Sequence, residues 1–272
     1  MDFRNKPFPH RIYLLGVVAG TALTTVLRTL ALFFDLDSIG YLDNGALTVL
    51  TAVFQVLIAA DCILLPFFIK KDTLIKDVTP GRASRSLCYV AAAFLIAAVA
   101  LLAVRLGNIE QILFAVLALI ALLCGTAYLL LCARGLGGAY ALTALGLIFG
   151  AVLLISLTYF DLYTPMNAPR KTSLHLCLLS AMLYVLYEMR MVLSRPFPRA
   201  LTALAALCFF LSFSMSGSNL ILGFAKGVDP IYTVGDLTAL GCGLSALATL
   251  LRPLTPTADP DTNSAEKETD AL

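Results

Sequence analysis

Long uninterrupted runs of apolar residues, separated by short polar stretches, recur from one end of the chain to the other. Each run is about 20 residues long, which is the length that an α-helix needs to cross about 30 Å of hydrocarbon. The runs lack the period-two alternation of membrane barrels and are too long for barrel strands. The pattern therefore predicts an all-α, polytopic membrane protein with eight transmembrane helices, covering roughly residues 11–34, 46–69, 86–104, 112–133, 138–159, 173–192, 200–224 and 231–251.

The composition supports lipid, rather than water, as the solvent around these helices. Of the 272 residues, 60% are hydrophobic and 13% are charged, whereas soluble domains are about 45–50% apolar and about 25% charged. The first 34 residues are similar to a secretory signal, but no small-residue cleavage site ends the apolar run and seven further runs follow. We interpret the first run as an uncleaved membrane helix.

The distribution of basic residues predicts that both termini are cytoplasmic. This orientation puts thirteen Lys and Arg residues in cytoplasmic segments and four in the opposite loops, as the positive-inside rule requires. We name the two ends of the bundle accordingly, the cytoplasmic end and the outer end. The expected location is the cytoplasmic (plasma) membrane of a bacterial cell. Lipid is the expected partner, and the absence of a basic, aromatic patch argues against nucleic acid.

Two similar halves are indicated by matching segments. The tripeptide FDL occurs at 34–36 and 160–162, each time at the outer end of a span, and CGTAYLLLCAR (124–134) matches CGLSALATLLR (242–252). Four spans per unit predict a parallel repeat; the alternative is a chance alignment of similar helices. The tail is polar and acidic, as is typical of disorder. The predicted organisation is two four-helix repeats and a disordered cytoplasmic tail, over residues 1–134, 135–254 and 255–272.

Two acidic residues are expected in the cytoplasmic half of the bundle. Asp61 in the second span and Glu188 in the sixth occupy nearly equivalent places in the two halves. A charge near the bilayer centre costs about 2.5–3.5 kcal/mol on insertion scales and usually faces the bundle interior. Two acids at one depth are candidates for binding a proton or a coupling cation. The alternative for Glu188 is that its side chain simply reaches the cytoplasmic surface.

A second polar group is expected in the outer half. It consists of Arg28 in the first span, Asp236 in the eighth, and the segment SFSMSGSN (212–219) in the seventh, including Ser216 and Asn219. Serines at every second position cannot share one helical face, so either their hydroxyls bond the helix backbone or the helix is unwound there. These residues predict an outward-facing polar cavity. The alternative is an Arg28–Asp236 ion pair with close packing of small residues.

The outer connections contribute further candidates. Asp35 and Asp161 follow the first and fifth spans, where we expect them to cap or turn the chain. Asn167, Arg170 and Lys171 occur in the connection after the fifth span, on the side where basic residues are scarce. This triplet is expected to contact either the acidic outer loop at the corresponding place in the first half of the chain or an anionic ligand.

Enzyme signatures are not found. The segment TVGD (233–236) lacks the first glycine of the G-x-G-D pattern of intramembrane aspartyl proteases, and Asp61 is expected in the opposite half of the membrane. His10 and His175 are expected on opposite sides, and the seven cysteines show no metal-binding spacing. We therefore predict no catalytic residue, metal or cofactor. The favoured function is a transporter of a small molecule or ion, and the alternative is a non-transporting sensor or accessory subunit; the oligomeric state stays open.

Overall fold

The computed structural model describes residues 10–35, 42, 45–69, 74, 80–109, 111–134, 139–161, 164–165, 168–193, 197–227 and 229–254. The predicted tail and Asn167 lie outside these described residues. Within them the architecture is all-helical, with helices α1 (His10–Phe34), α2 (Ala46–Leu64), α3 (Arg82–Arg105), α4 (Ile112–Arg134), α5 (Tyr140–Tyr159), α6 (Pro169–Val192), α7 (Pro198–Leu211), α8 (Ser218–Lys226) and α9 (Pro230–Leu251).

Eight stretches of helix among the described residues are long and apolar enough to cross a membrane, which confirms the predicted number. The seventh stretch combines α7 and α8. Three of the helices begin at a proline, namely α6 at Pro169, α7 at Pro198 and α9 at Pro230. Proline suits the first helical turn because its fixed φ is already helical and its missing N–H is not needed there. Helix α6 starts at Pro169, four residues before the predicted boundary at 173. The prediction was late because the first turn of this helix is polar and lies outside the apolar run. The orientation and the internal repeat stay predictions.

The seventh span is widened rather than unwound at its serine-rich segment. Residues Ser212–Gly217 form a π-helical turn between α7 and α8, so the helix continues through the segment. The hydroxyl of Ser218 donates to the carbonyl of Ser214 at 2.7 Å, which is the local bonding that serine offers inside a helix. A π-helical turn inside an α-helix is rare and frequently lies at a functional site. Of the two alternatives considered from the sequence, the local bonding of a serine hydroxyl to the helix backbone is found and the unwound helix is not. The π-helical turn itself was not predicted.

Helix α9 is the central element of the bundle, and α2 lies at its edge. Helices α3, α6 and α7 all pack against α9. Close approach is possible because α9 carries glycines: a Cβ atom at Gly241 would lie 3.0 Å from the carbonyl oxygen of Ala91 on α3. By contrast, α2 buries only Thr51 and Cys62. The central position of α9 matters because polar side chains reach it near both of its ends.

Candidate functional site

The outer polar residues of four different helical segments converge near the outer end of the bundle. Arg28 of α1 lies six residues before the end of that helix, and Asp236 lies six residues after the start of α9, so each is about 9 Å along its helix from the outer end. We call this group the outer polar cluster. Its members are Arg28, Arg170, Ser216, Asn219 and Asp236.

Asp236 is completely buried, with no exposed surface. The Nη2 atom of Arg170 lies 3.5 Å from its Oδ2 atom, which is longer than the 2.7–2.9 Å typical of a charge-assisted hydrogen bond. Ser216 and Asn219 lie beside the carboxylate. However, neither carboxylate oxygen accepts a hydrogen bond of good geometry from any residue that the structure describes. Asp236 is therefore a buried charge with an incomplete set of partners.

Arg28 lies on the face of α1 that packs against the π-helical turn and α8. The hydroxyl of Ser218 donates to the carbonyl of Thr25 at 3.2 Å and fixes the two helices about one turn away. Arg28 is 6% exposed and so is buried within the bundle. Within the described part of the chain, its Nε has no hydrogen-bond partner, and it forms no ion pair with Asp236. The Arg28–Asp236 pair considered from the sequence is thus not formed, because Arg170 contacts Asp236 instead.

Arg170 is held between the bundle and the outer surface. Asn219 Nδ2 donates to the hydroxyl of Ser173 at 3.1 Å, and that hydroxyl donates to the backbone carbonyl of Arg170 at 3.0 Å. The guanidinium carbon lies 5.2 Å from the centre of the Tyr232 ring, within the range of a cation–π contact. The side chain of Arg170 keeps 26% of its surface exposed. It therefore links the buried Asp236 to the outer surface.

The other outer-connection candidates hold the connections in place. Lys171 Nζ donates to the backbone carbonyls of Asp161 at 3.0 Å and Thr164 at 3.4 Å. The Asp161 side chain accepts a hydrogen bond of 3.0 Å from the Tyr232 hydroxyl. Lys171 and Asp161 thus stabilise the connection between α5 and α6 and tie it to α9. Of the predicted basic triplet, Arg170 is the residue that enters the outer polar cluster.

Asp35 caps α2. Its Oδ2 atom accepts hydrogen bonds from the backbone N–H of Thr48 at 3.0 Å and from the Thr48 hydroxyl at 2.8 Å. The residue before α2, Gly45, has no side chain with which to accept from the free N–H groups of the first turn. Asp35 supplies that acceptor from the end of the preceding helix.

A second buried group lies near the cytoplasmic end, and we call it the inner hub. It is centred on Glu188 of α6, which has no exposed surface. Its Oε1 atom accepts from Arg252 Nη2 at 2.6 Å and from the Thr249 hydroxyl at 3.1 Å. Its Oε2 atom accepts from the Tyr184 hydroxyl at 2.9 Å and from the Tyr128 hydroxyl.

The inner hub is fully bonded, in contrast to the outer polar cluster. Four donors match the roughly four lone-pair sites of a carboxylate. They come from α4, α6, α9 and the turn that follows α9, so Glu188 joins three helices. The sequence predicted Glu188 but not its partners. The one local signal was Tyr184, which precedes Glu188 by four residues and so shares its helical face.

Asp61 is not brought to Glu188. It lies on the exposed face of α2, next to Cys62, whose carbonyl accepts a hydrogen bond of 3.0 Å from the Tyr13 hydroxyl. Glu188 is buried among residues of other helices. The two acids that the sequence suggested as a pair therefore occupy separate environments.

A line of polar side chains on one face of α6 joins the two groups. Cys177 Sγ donates to the carbonyl of Leu211 at 3.3 Å, and the Ser180 hydroxyl donates to the carbonyl of Cys177 at 2.8 Å. The members of the line recur every three or four residues and so share one helical face. They are Arg170, Ser173, Cys177, Ser180, Tyr184 and Glu188.

Comparison with protein-family models, with curated proteins and with solved structures finds no match to this chain. Among the residues that the structure describes, no group of three or more His, Cys, Asp or Glu side chains is arranged to hold a metal ion. The functional argument therefore rests on the geometry of the two polar groups alone.

Proposed function

We propose that this integral membrane protein is a transporter that binds a small polar solute at the outer polar cluster. One observation carries the proposal. Asp236 and Arg28 are buried on helices that both pack against the π-helical turn, yet both oxygens of Asp236 and the Nε of Arg28 lack hydrogen-bond partners within the described part of the chain. Leaving a buried polar group unpaired costs about 1–3 kcal/mol, and more for a charged one. A bound solute would supply the missing partners.

The way into the site is proposed to lie on the outer side. Arg170 is partly exposed and holds Asp236 through a single contact of 3.5 Å, so displacement of one side chain would open the cluster. The neighbouring π-helical turn supports the same proposal, because irregular helices near the membrane interior are typical of solute sites in transporters. The proposal assigns no catalytic residue to the chain.

The inner hub is proposed to close the path to the cytoplasm. Its hydrogen bonds hold α4, α6 and α9 together at the end opposite to the outer polar cluster. A transporter must open its two sides in turn, so release of the solute would require these bonds to break. A coupling-ion role for Glu188 has less support, since its lone pairs are already occupied by four donors.

The test is an uptake measurement with the purified full-length chain in proteoliposomes. The vesicles are exposed to a defined mixture of amino acids, organic acids, amines, polyols and inorganic ions, and their contents are read by mass spectrometry and elemental analysis. We expect one solute class to accumulate with the native chain and to be reduced at least tenfold by Asp236→Asn. Asp229→Asn is the matched control, because Asp229 caps α9 at its outer start and asparagine also caps well. No uptake of any component above empty vesicles would contradict the proposal.

One observation favours the alternative function, an accessory subunit of a membrane complex. Asp61 is exposed on α2, a helix that buries only two side chains, and an ionised group at membrane depth usually faces protein rather than lipid. A partner helix covering α2 would resolve this. Purification in mild detergent should then yield a stoichiometric partner that Asp61→Lys releases, and a monodisperse single chain would exclude this alternative.

A further inference from the structure

The outer polar cluster contains two opposite buried charges that do not pair with each other. Arg28 on α1 and Asp236 on α9 are 6% and 0% exposed. Their helices, α1 and α9, both pack against the π-helical turn that carries Ser216, but within the described residues the ion pair of Asp236 is with Arg170. Ser216 lies beside the Asp236 carboxylate, and Cys177 lies close to Ser216. Arg28 and Asp236 therefore lie on two helices that border the same polar segment of the seventh span.

The buried charged groups that lack hydrogen-bond partners within the described part of the chain are donors on the two arginines and acceptors on Asp236. Counting only partners among the described residues, donors are unmet on Arg28 Nε and on Nε and Nη2 of Arg170, whereas acceptors are unmet on both oxygens of Asp236. The hydroxyls of Ser214 and Ser216 also lack partners there and can donate or accept. A complementary solute must therefore accept at one end and donate at the other.

Solutes with a single charge fit this arrangement poorly. An anion could pair with Arg28 and with Arg170 but would bring a second negative charge towards Asp236. A cation would satisfy Asp236 but would face both arginines. Such like-charge contacts are strongly unfavourable in a site of low dielectric constant. A neutral polyol would leave Arg28 without an ionic partner among the described residues.

We propose that the outer polar cluster binds an amino acid in its zwitterionic form, with the carboxylate paired to Arg28 and the ammonium group paired to Asp236. This inference rests on the proposed function for the location of the site. The two buried protein charges and the two solute charges then cancel in pairs. Arg170, which is partly exposed, is displaced from Asp236 by the ammonium group and keeps its charge solvated at the outer surface. Ser216 and Asn219 provide the remaining polar contacts.

The test measures thermal unfolding of the purified full-length chain in detergent with the twenty common amino acids, added singly. For each amino acid that stabilises the chain, the deaminated acid and the decarboxylated amine are measured as well, for example propionate and ethylamine beside L-alanine. We expect at least one amino acid to raise the midpoint temperature by about 4 °C or more at saturation. The corresponding acid and amine should each give less than a quarter of that shift.

Two substitutions should change the specificity in opposite directions. In Asp236→Asn the like-charge contact with an anion is gone, so the response to the amino acid should fall and the response to the deaminated acid should rise. In Arg28→Gln the response to the decarboxylated amine should rise instead. These gains show that the variants are folded. Asp229→Asn should keep the native preference.

The outcomes separate this inference from the proposed function. If no amino acid stabilises the chain, or if the acid or the amine alone stabilises it equally well, the zwitterion assignment is overturned. If an amino acid binds with the predicted switches but does not accumulate in proteoliposomes, the binding assignment stands and the transport proposal falls. Uptake of a singly charged or neutral solute without amino-acid binding would leave transport standing and overturn the inference.

Discussion

Arg170 and Glu188 lie eighteen residues apart on α6, about five turns of helix, and therefore on the same helical face. Each is ion-paired with the C-terminal part of the chain around α9, Arg170 with Asp236 and Glu188 with Arg252. The charges are reversed between the two pairs, since α6 supplies the base at the outer end and the acid at the cytoplasmic end. Ion pairs therefore hold both ends of α6 against the C-terminal part of the chain.

The two ion pairs differ in length, burial and hydrogen bonding. The outer pair is 3.5 Å long, partly exposed and without a hydrogen bond of good geometry. The inner pair is 2.6 Å long and buried, and its carboxylate has three further donors. In the proposed transport cycle, the described conformation is therefore firmly closed towards the cytoplasm and weakly closed towards the outside.

Glu188→Gln is expected to destabilise the protein by about 3–5 kcal/mol, because it breaks the buried ion pair between the Glu188 carboxylate and the Arg252 guanidinium. The free energy of unfolding in mixed micelles measures this loss. The double variant Glu188→Gln with Arg252→Gln should be less destabilised than the sum of the two single variants, since it removes both charges together. Strictly additive losses would show that the two residues do not interact.

Tyr128→Phe should cost about 1.5–3 kcal/mol, the range for a hydrogen bond to a charged group, because the Tyr128 hydroxyl donates to Glu188. Tyr140→Phe is a close control. Its ring also lies in the inner hub region, but among the described residues its hydroxyl makes only long contacts, 3.5 Å to Tyr128 and 3.7 Å to Cys132. The measurement is thermal unfolding of the two variants side by side. An equal loss of stability in both would contradict the central role of Glu188.

The number of spans was predictable because the length of each apolar run is set by the bilayer. The convergence of Arg28, Ser216, Asn219 and Asp236 was also foreseeable, since counting residues from the helix ends places them at similar depths. The sequence suggested Arg170 only as a connection residue. Its entry into the cluster follows from the start of α6 at Pro169, which a polarity criterion placed four residues too late.

The inner hub could not be foreseen, for a physical reason. Tyr128 and Arg252 are separated from Glu188 by 60 and 64 residues, and a hydrophobicity pattern carries no information about which helices become neighbours. Arg252 was counted among the basic residues that face the cytoplasm. The pairing of Asp61 with Glu188 rested on the repeat alone, and the exposed position of Asp61 separates the two residues.

Gly241→Ala should weaken the contact between α3 and α9. The added Cβ would lie 3.0 Å from the Ala91 carbonyl oxygen, which belongs to a helix backbone and cannot move aside easily. Overpacking of this kind costs about 1–3 kcal/mol. Gly16→Ala on α1 is the matched control, because its Cβ would meet no atom within 4 Å. The free energy of unfolding should be lower for Gly241→Ala than for Gly16→Ala. A stabilised Gly241→Ala variant would contradict the close approach of α3 and α9.

Arg170→Ala should open the outer polar cluster to reagents from outside, because Arg170 is the partly exposed side chain that contacts the buried Asp236. Ser216→Cys reports the opening: the native Ser216 has no exposed surface, so a membrane-impermeant maleimide should label this cysteine slowly. Combined with Arg170→Ala, the labelling rate in oriented vesicles should rise at least fivefold. Arg190→Ala is the control, since Arg190 contacts Tyr187 and Phe197 at the other end of α6. Equal rates in both backgrounds would mean that Arg170 does not close the site.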